Sequence, residues 1–383
     1  MYRIFLFLFF VGSLCAAPKK TICLNMIVKD ESAVIERCLG SVKGLIDYWV
    51  IVDTGSTDGT QEKIKKFMKG TPGELHERPW VNFEHNRNEA LMFAKGKSDY
   101  LLMIDADEIF EYEKGFTLPS LDKDYYSMTV RQLNAADVKR TALIKDRLDW
   151  KWEGILHELL VCPHAVTSEP LEKVINICNS GPLSGRSKVS TKEKYLRDAA
   201  VLEEALKKEP YNARYMCYLG QSYLAAEEYE LAKKSYQARL KMASSDVQET
   251  FRVLCVLGNV HEKLGESDAA LQAFFGAHHY RPTRMEPLFY AASVYRKQGN
   301  VLLGYLLCKY ALTFSYPEGD VCVEYPVYDH QLLIEFANCA LLLGKFDEGF
   351  DACTRLLANP HLPEEYKPSV IANKALAQKH LTP

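Results

Sequence analysis

The 383-residue sequence lacks several features that would place it in a class at once. It has no Cys-x-x-Cys pair and no Cys/His cluster at zinc-ligand spacing, which excludes a zinc finger, a zinc ribbon and a thioredoxin-type redox motif. It offers no Asn-x-Ser/Thr acceptor site. Charge of one sign is also lacking: the net charge is −3, so no basic field argues for nucleic acid as a partner. Past residue 17 no apolar run reaches the ~20 residues that a membrane-spanning helix needs. What remains is ordinary globular usage, 48% hydrophobic and 25% charged, which excludes a disordered or fibrous chain. The length suggests roughly two to three domains, enough to bury a core without disulfides or a structural metal.

The first residues differ from the rest. Arg3 precedes an apolar run, Ile4 to Leu14, and then Cys15-Ala16-Ala17-Pro18. A basic start, a short apolar stretch and small residues predict a signal peptide or targeting segment over 1–17, with a buried or interfacial helix as the alternative. Of eleven cysteines, Cys15 would leave with such a segment. Cys23, Cys217, Cys255, Cys308, Cys339 and Cys353 sit in apolar runs, where free cysteine behaves as a small buried hydrophobe. Reduced, structural thiols are expected.

Up to about residue 185, strand-like and helix-like pieces alternate. Thr21–Val28, Tyr48–Val52 and Tyr100–Ile104 are apolar runs of strand length. Between them, 32–42 carries a helical stripe (Val34, Ile35, Cys38, Leu39, Val42), Asp58-Gly-Thr-Gln61 has a capping pattern, and 86–94 reads as a helix. Strand–helix alternation predicts a parallel sheet with helices on both faces. Ligands in such sheets bind beyond the carboxyl ends of the strands, which puts Asp53 and Asp105 at one rim.

From about residue 190 the pattern is helical throughout, opened by a Ser190-x-x-Glu193 capping box. Leu219-Gly220, Tyr223, Tyr229, Ala232 and Tyr236 recur 38 residues later as Leu257-Gly258, His261, Ser267, Ala270 and Phe274. A third copy (Ala291-Ala292, Tyr295, Gly299) follows after 34 residues, and a fourth (Phe336-Ala337, Ala340, Gly344, Cys353) after an insertion around 317–330. This is the spacing of tetratricopeptide repeats, helix–turn–helix units of about 34 residues. The domains expected are a 1–17 targeting segment, a 20–185 α/β domain and 190–383 helical repeats.

The chemistry gathers at the strand ends. Leu101-Leu-Met-Ile-Asp105-Ala-Asp107-Glu108 ends an apolar strand in three carboxylates. Alternate residues on extended chain point the same way, so Asp105 and Asp107 can share one Mg²⁺ or Mn²⁺, ions that take one or two carboxylates plus phosphate oxygens. Val-Asp53-Thr-Gly-Ser56-Thr-Asp58-Gly-Thr puts a carboxylate before a turn whose N–H groups can meet polar ligand atoms. Arg87, near a helix start, suits a phosphate or carboxylate. Trp150-Lys-Trp152-Glu153-Gly-Ile-Leu-His157-Glu158 combines indoles, a ligand-type imidazole and two carboxylates.

In this order and spacing, Leu24-Asn-Met-Ile-Val-Lys-Asp-Glu-Ser, Val-Asp53-Thr-Gly-Ser-Thr-Asp-Gly-Thr, Arg87-Asn88-x-Ala90 and Asp105-Ala-Asp107-Glu108 resemble the family 2 glycosyltransferases over roughly 20–165. The resemblance is closest to members with tetratricopeptide repeats behind the transferase domain and to the branch of lipopolysaccharide-core glucosyltransferases. It implies the GT-A fold, an α/β nucleotide-diphospho-sugar transferase domain, here followed by an all-α repeat domain. It implies metal-dependent, inverting transfer from a nucleotide-sugar, expected to be a UDP-sugar, to a hydroxyl on a glycan, lipid or protein. Asp53, Ser56, Asp58, Arg87, Asn88 and Asp105 would bind the donor, with Asp53 at the uracil or ribose. Asp105, Asp107 and His157 would hold Mn²⁺ or Mg²⁺, Glu158 or Glu153 would be the base, and Trp150 and Trp152 would stack on a sugar. The repeats would complete the acceptor site or bind a peptide or protein partner.

Two other readings compete with this one. One is a catalytically degenerate transferase fold serving as a repeat-based binding module. The other, a nucleotidyltransferase, normally needs an N-terminal glycine-rich loop, and 21–31 has no glycine. The signal-like segment suggests export or membrane association, whereas donor supply favours the cytoplasmic face or a secretory lumen.

Overall fold

The computed structural model of the chain describes residues 19–132, 138–178, 190–243, 246–317, 320 and 323–381. The 1–17 segment read as a targeting signal lies outside them. The chain divides into two compact units, Met1–Lys188 and Val189–Pro383.

The first unit opens with β1 (Ile22–Val28), α1 (Ile35–Val42), β2 (Tyr48–Asp53), α2 (Thr60–Phe67), β3 (Gly73–Glu77), α3 (Phe83–Ala94) and β4 (Tyr100–Met103). Period-two alternation sorts β1 onto two faces. Ile22, Leu24, Met26 and Val28 join a core with Ile35, Leu39 and Ile64 of α1 and α2. Cys23 joins Leu91 and Ala94 of α3 on the other face. Fully burying a Leu or Ile side chain stabilises by about 1.5–3 kcal/mol, so these two layers hold the strand ends in place. Helix α3 starts earlier than its apolar pattern suggests, because the Asn82 side chain accepts from His85 N at 2.8 Å and caps it.

The expected all-parallel sheet holds for only half of the strands. β3-β2-β1-β4 are parallel. Beyond them lie β5 (Glu108–Tyr112), β6 (Tyr125–Gln132), β7 (Val138–Lys145) and β10 (Ser168–Cys178), completing an eight-stranded sheet of order β3-β2-β1-β4-β7-β6-β10-β5. Here β4–β7, β6–β7 and β10–β5 pair antiparallel and β10–β6 parallel. Adjacent parallel strands need a long crossover, usually a helix, and no helix follows α3 among the described residues of this unit. A separate two-stranded ribbon joins β8 (Lys151–Glu153) to β9 (Leu159–Val161).

The second unit is all helical. α4 (Thr191–Lys208) is capped by Ser190, whose Oγ accepts from Glu193 N at 3.3 Å. Four antiparallel pairs follow: α5 (Ala213–Ala225) with α6 (Tyr229–Leu240), α7 (Val247–Lys263) with α8 (Ser267–Tyr280), α9 (Glu286–Lys297) with α10 (Val301–Ala311), and α11 (Leu332–Leu342) with α12 (Phe346–Ala358). α13 (Lys367–Leu381) closes the series. Every pair turns the same way. A left-handed residue (Glu227, Gly265, Gly299, Gly344) is followed by a backbone bond of 2.9 Å to the carbonyl five residues back: Glu228 to Tyr223, Glu266 to His261, Asn300 to Tyr295, Lys345 to Ala340. That closure satisfies the last carbonyls of each first helix. Its fourfold recurrence is the structural counterpart of the sequence repeat. The insertion before the fourth pair contains a π-helical turn, Val327–Gln331. Among the described residues no helix is long and apolar enough to cross a membrane, and the nine cysteines are all free.

Candidate active site

Asp53 ends β2 and is completely buried. Its Oδ1 accepts from Gly55 N (2.9 Å) and Ser56 N (2.8 Å), while Oδ2, equally enclosed, has no hydrogen-bond partner. A buried carboxylate oxygen without a partner is costly. Gly55, at φ 103°, permits the turn.

The residues around Asp53 tie two loops together. Ser56 Oγ accepts from Asp30 N at 2.8 Å, and Asp30 Oδ1 from Thr57 N at 2.8 Å. Asp58 accepts from Ser32 N (3.0 Å), Thr60 N (3.1 Å) and the Thr60 hydroxyl (2.5 Å). Burial pushes the Asp58 carboxyl up, but the bonds from Thr60 and Ser32 outweigh it and hold it at about 2. Ser56 and Asp58 therefore hold the loops after β1 and β2 against each other.

Arg87, on α3, lies at the centre of the second cluster. Its Nη2 donates to Asp105 Oδ1 and its Nε to Glu158 Oε1, both at 2.7 Å. Its guanidinium lies 4.8 Å from the Trp152 ring. Burial works against the charge, yet the carboxylates of Asp105 and Glu158 keep the guanidinium even more firmly protonated than usual. Asn88, the next residue, donates from Nδ2 to Trp152 O and accepts from Trp152 N, each at 2.9 Å. A side-chain amide thus pairs with β8 as a neighbouring strand would, and fixes the ribbon on α3.

Asp105 follows β4, and its other oxygen, Oδ2, faces Arg140 Nη1 at 3.7 Å. Arg140, on β7, also ion-pairs with Glu108, which is 2% exposed and accepts further from Asp105 N (3.1 Å) and Asn176 Nδ2 (2.8 Å). Burial, then the neighbouring Asp105, raises the Glu108 carboxyl above the usual range. Asp107 is partly exposed; its carbonyl accepts from Arg37 Nη2 at 3.2 Å.

The remaining expected residues separate. Glu158 is brought to Asp105 through Arg87. Glu153 is not: Trp152 faces Arg87, and Glu153 beside it on the strand is exposed and paired with Lys151 at 2.5 Å. His157 is exposed at a left-handed turn, φ 54°. It is not gathered with Asp105 and Asp107; among the described residues no group of three or more His, Cys, Asp or Glu is arranged to hold a metal. Trp150 meets Tyr125 edge-on at 5.8 Å, and both tryptophans pack against the α3-side core.

Arg140, Asn176 and Asn86 were not legible as site residues. Asn86 is fully buried and joins Val81 N, Pro79 O and Glu89, folding the 79–86 loop over the start of α3. Arg140 and Asn176 reach Glu108 only through sheet pairing 32 and 68 residues away in the chain.

The same region matches a known family. Residues 23–139 match the model described as glycosyl transferase family 2. The chain is 26% identical over 276 residues to a TPR repeat-containing protein of Synechococcus elongatus, covering 68% of this chain and 66% of that one. It is 27% identical over 227 residues to the SPbeta prophage-derived glycosyltransferase SunS of Bacillus subtilis, covering 55% and 52%. An uncharacterized glycosyltransferase of Rickettsia bellii is 34% identical over 89 residues, 23% of this chain and 28% of its own. The chain thus spans between half and two thirds of the first two relatives. Residues 23–139 are a family 2 glycosyltransferase domain. The helical unit behind it is an array of tetratricopeptide type.

Proposed function

We propose that the protein transfers a sugar from a nucleotide-diphosphate sugar, a UDP-sugar by family resemblance, to a hydroxyl acceptor. The observation that carries this reading is the convergence on Arg87. One guanidinium joins Asp105, just past β4, to Glu158, which lies 71 residues from Arg87 in the chain. This happens at the carboxyl rim, where Asp53 also presents an unpartnered oxygen.

Asp53 Oδ2 suits an N–H or O–H of the donor base or ribose, and such a bond would relieve its burial cost. Asp105 and Asp107 offer two hard oxygen donors, the number that Mg²⁺ or Mn²⁺ takes from protein when phosphate oxygens and water complete its shell. A cation held there would neutralise charge growing on the leaving diphosphate. Glu158 takes the proton of the acceptor hydroxyl, whose oxygen forms a bond to the anomeric carbon as the bond to the diphosphate breaks on the opposite face. Arg87 orients Glu158 and keeps it beside Asp105. The outward direction of Glu153 favours Glu158 as the base. Trp152, beneath Arg87, supports that guanidinium. The repeats supply a surface suited to a peptide or protein partner.

The test is UDP release from a panel of UDP-sugars with Mn²⁺ and candidate hydroxyl acceptors, on wild type and Glu158→Gln. Turnover is expected to vanish in the variant while calorimetric binding of UDP persists. Normal turnover in the variant would remove Glu158 as base. Absence of UDP binding and release in wild type would remove the transferase reading.

A further inference from the structure

We propose that Arg140, acting with Arg87, is a ligand for the donor diphosphate, and that Asp105 holds both guanidiniums in reserve. Carboxylate and diphosphate would then compete for one pair of arginines. The inference rests on the transferase reading above and adds a residue and an order of events to it.

Arg140 is anchored at one end only. One arm ion-pairs with buried Glu108, which Asn176 and the Asp105 amide fix in turn. The other arm stops 3.7 Å from Asp105 Oδ2, an ion pair too long for a hydrogen bond. Arg87 holds the opposite oxygen tightly, at 2.7 Å. Asp105 is therefore flanked by two guanidiniums, one from helix α3 and one from strand β7, with its side chain still 35% exposed and Arg140 38% exposed.

The charges set the order. Asp105, Asp107, Glu108 and Glu158 crowd the rim, and a bare diphosphate approaching them meets repulsion. Of the guanidiniums that could attract it, Asp105 hydrogen-bonds Arg87 and ion-pairs at longer range with Arg140. A divalent cation held by Asp105 would weaken that hold and leave Arg87 Nη2 and Arg140 Nη1, the arms that face Asp105, for phosphate oxygens, which guanidinium geometry matches. Arg140 does not swing away, because Glu108 keeps its first arm. Arg87 keeps its Nε bond to Glu158, so the base stays oriented while the other arm turns to the donor.

The probe is inorganic pyrophosphate, which carries the diphosphate without the base or sugar, titrated calorimetrically into the full-length protein with and without MnCl₂. Wild type is expected to bind it only with Mn²⁺. Asp105→Asn, which surrenders the competing carboxylate, is expected to bind it without Mn²⁺. Arg140→Met is expected to weaken the Mn²⁺-dependent affinity by about tenfold to a hundredfold, the effect of losing a charged hydrogen bond, with Arg140→Lys in between. Adding Arg140→Met to Asp105→Asn is expected to abolish the metal-independent binding. The inference fails if Asp105→Asn binds no pyrophosphate without Mn²⁺. It also fails if Arg140→Met or Arg140→Lys, melting as wild type does, binds as wild type does. If wild type binds neither pyrophosphate nor UDP in Mn²⁺, the transferase reading itself is overturned.

Discussion

At Asp58 both carboxylate oxygens are committed to the chain itself, to Ser32 on one side and Thr60 on the other. The Asp58-x-x-Gln61 pattern marked this residue as a helix cap, and the family resemblance made it a donor contact. The geometry gives it the work of holding two loops at the spacing that Asp53 needs. Its carboxyl lies at about 2 in the folded chain against an ordinary 3.8, so its contribution is present above pH 4 and lost as pH falls through 2. Asp58→Asn should destabilise the protein by about 1–2 kcal/mol at pH 7. Urea unfolding of both proteins should show that gap closing between pH 4 and pH 2; a gap unchanged across that window would mean the charge contributes nothing. Asp53, Arg87 and Asp105 were legible because each sits at the end of an apolar run or beside a helix start. Arg140 was not, because a lone arginine in an alternating strand reads as a solvated side chain until the sheet register places it against Glu108.

The four helix-pair turns make an internal comparison among elements. Three place glycine at the left-handed position, and the first places Glu227 there, at φ 62°. A left-handed conformation costs a residue with a Cβ roughly 1–2 kcal/mol, partly offset by the greater chain entropy that glycine loses on folding. Glu227→Gly should stabilise the repeat unit by about 0.5–1 kcal/mol in chemical denaturation, and a loss of stability would show that the Glu227 side chain supplies something the turn needs. Gly258 is the opposite case. A Cβ there would lie 2.4 Å from Phe274, which packs on it from α8. Gly258→Ala should cost about 1–3 kcal/mol by overpacking, read in the same assay. The repeat pattern was visible in the sequence because small and aromatic positions recur. The strands after β4 escaped it: in β6, Tyr126, Met128 and Val130 are buried and the residues between them only partly so, a two-residue rhythm weaker than the continuous apolar runs of β1, β2 and β4.

On the scale of the whole molecule, each unit has its own apolar core. One is built on Leu24, Ile51 and Leu102, another on Leu288, Phe336 and Cys353. Residues 190–383 expressed alone should therefore be helical by circular dichroism and unfold cooperatively; a non-cooperative melt would mean that the repeats need the first unit to fold. The sequence alone determined the class of each unit, because hydrophobic period and glycine placement are local properties of the chain. It also determined the order of the acidic motifs, since each follows directly from the strand that carries it. Only the tertiary structure decided which carboxylates meet. Glu158 rather than Glu153 reaches Arg87 because strand alternation on β8 turns its residues to opposite sides. Asn176 reaches Glu108 because β10 pairs with β5, and Arg140 does because β7 pairs with β4, the strand just before Glu108. Such meetings depend on register between distant segments, and register is set by the packing of whole faces, which no local window of residues contains.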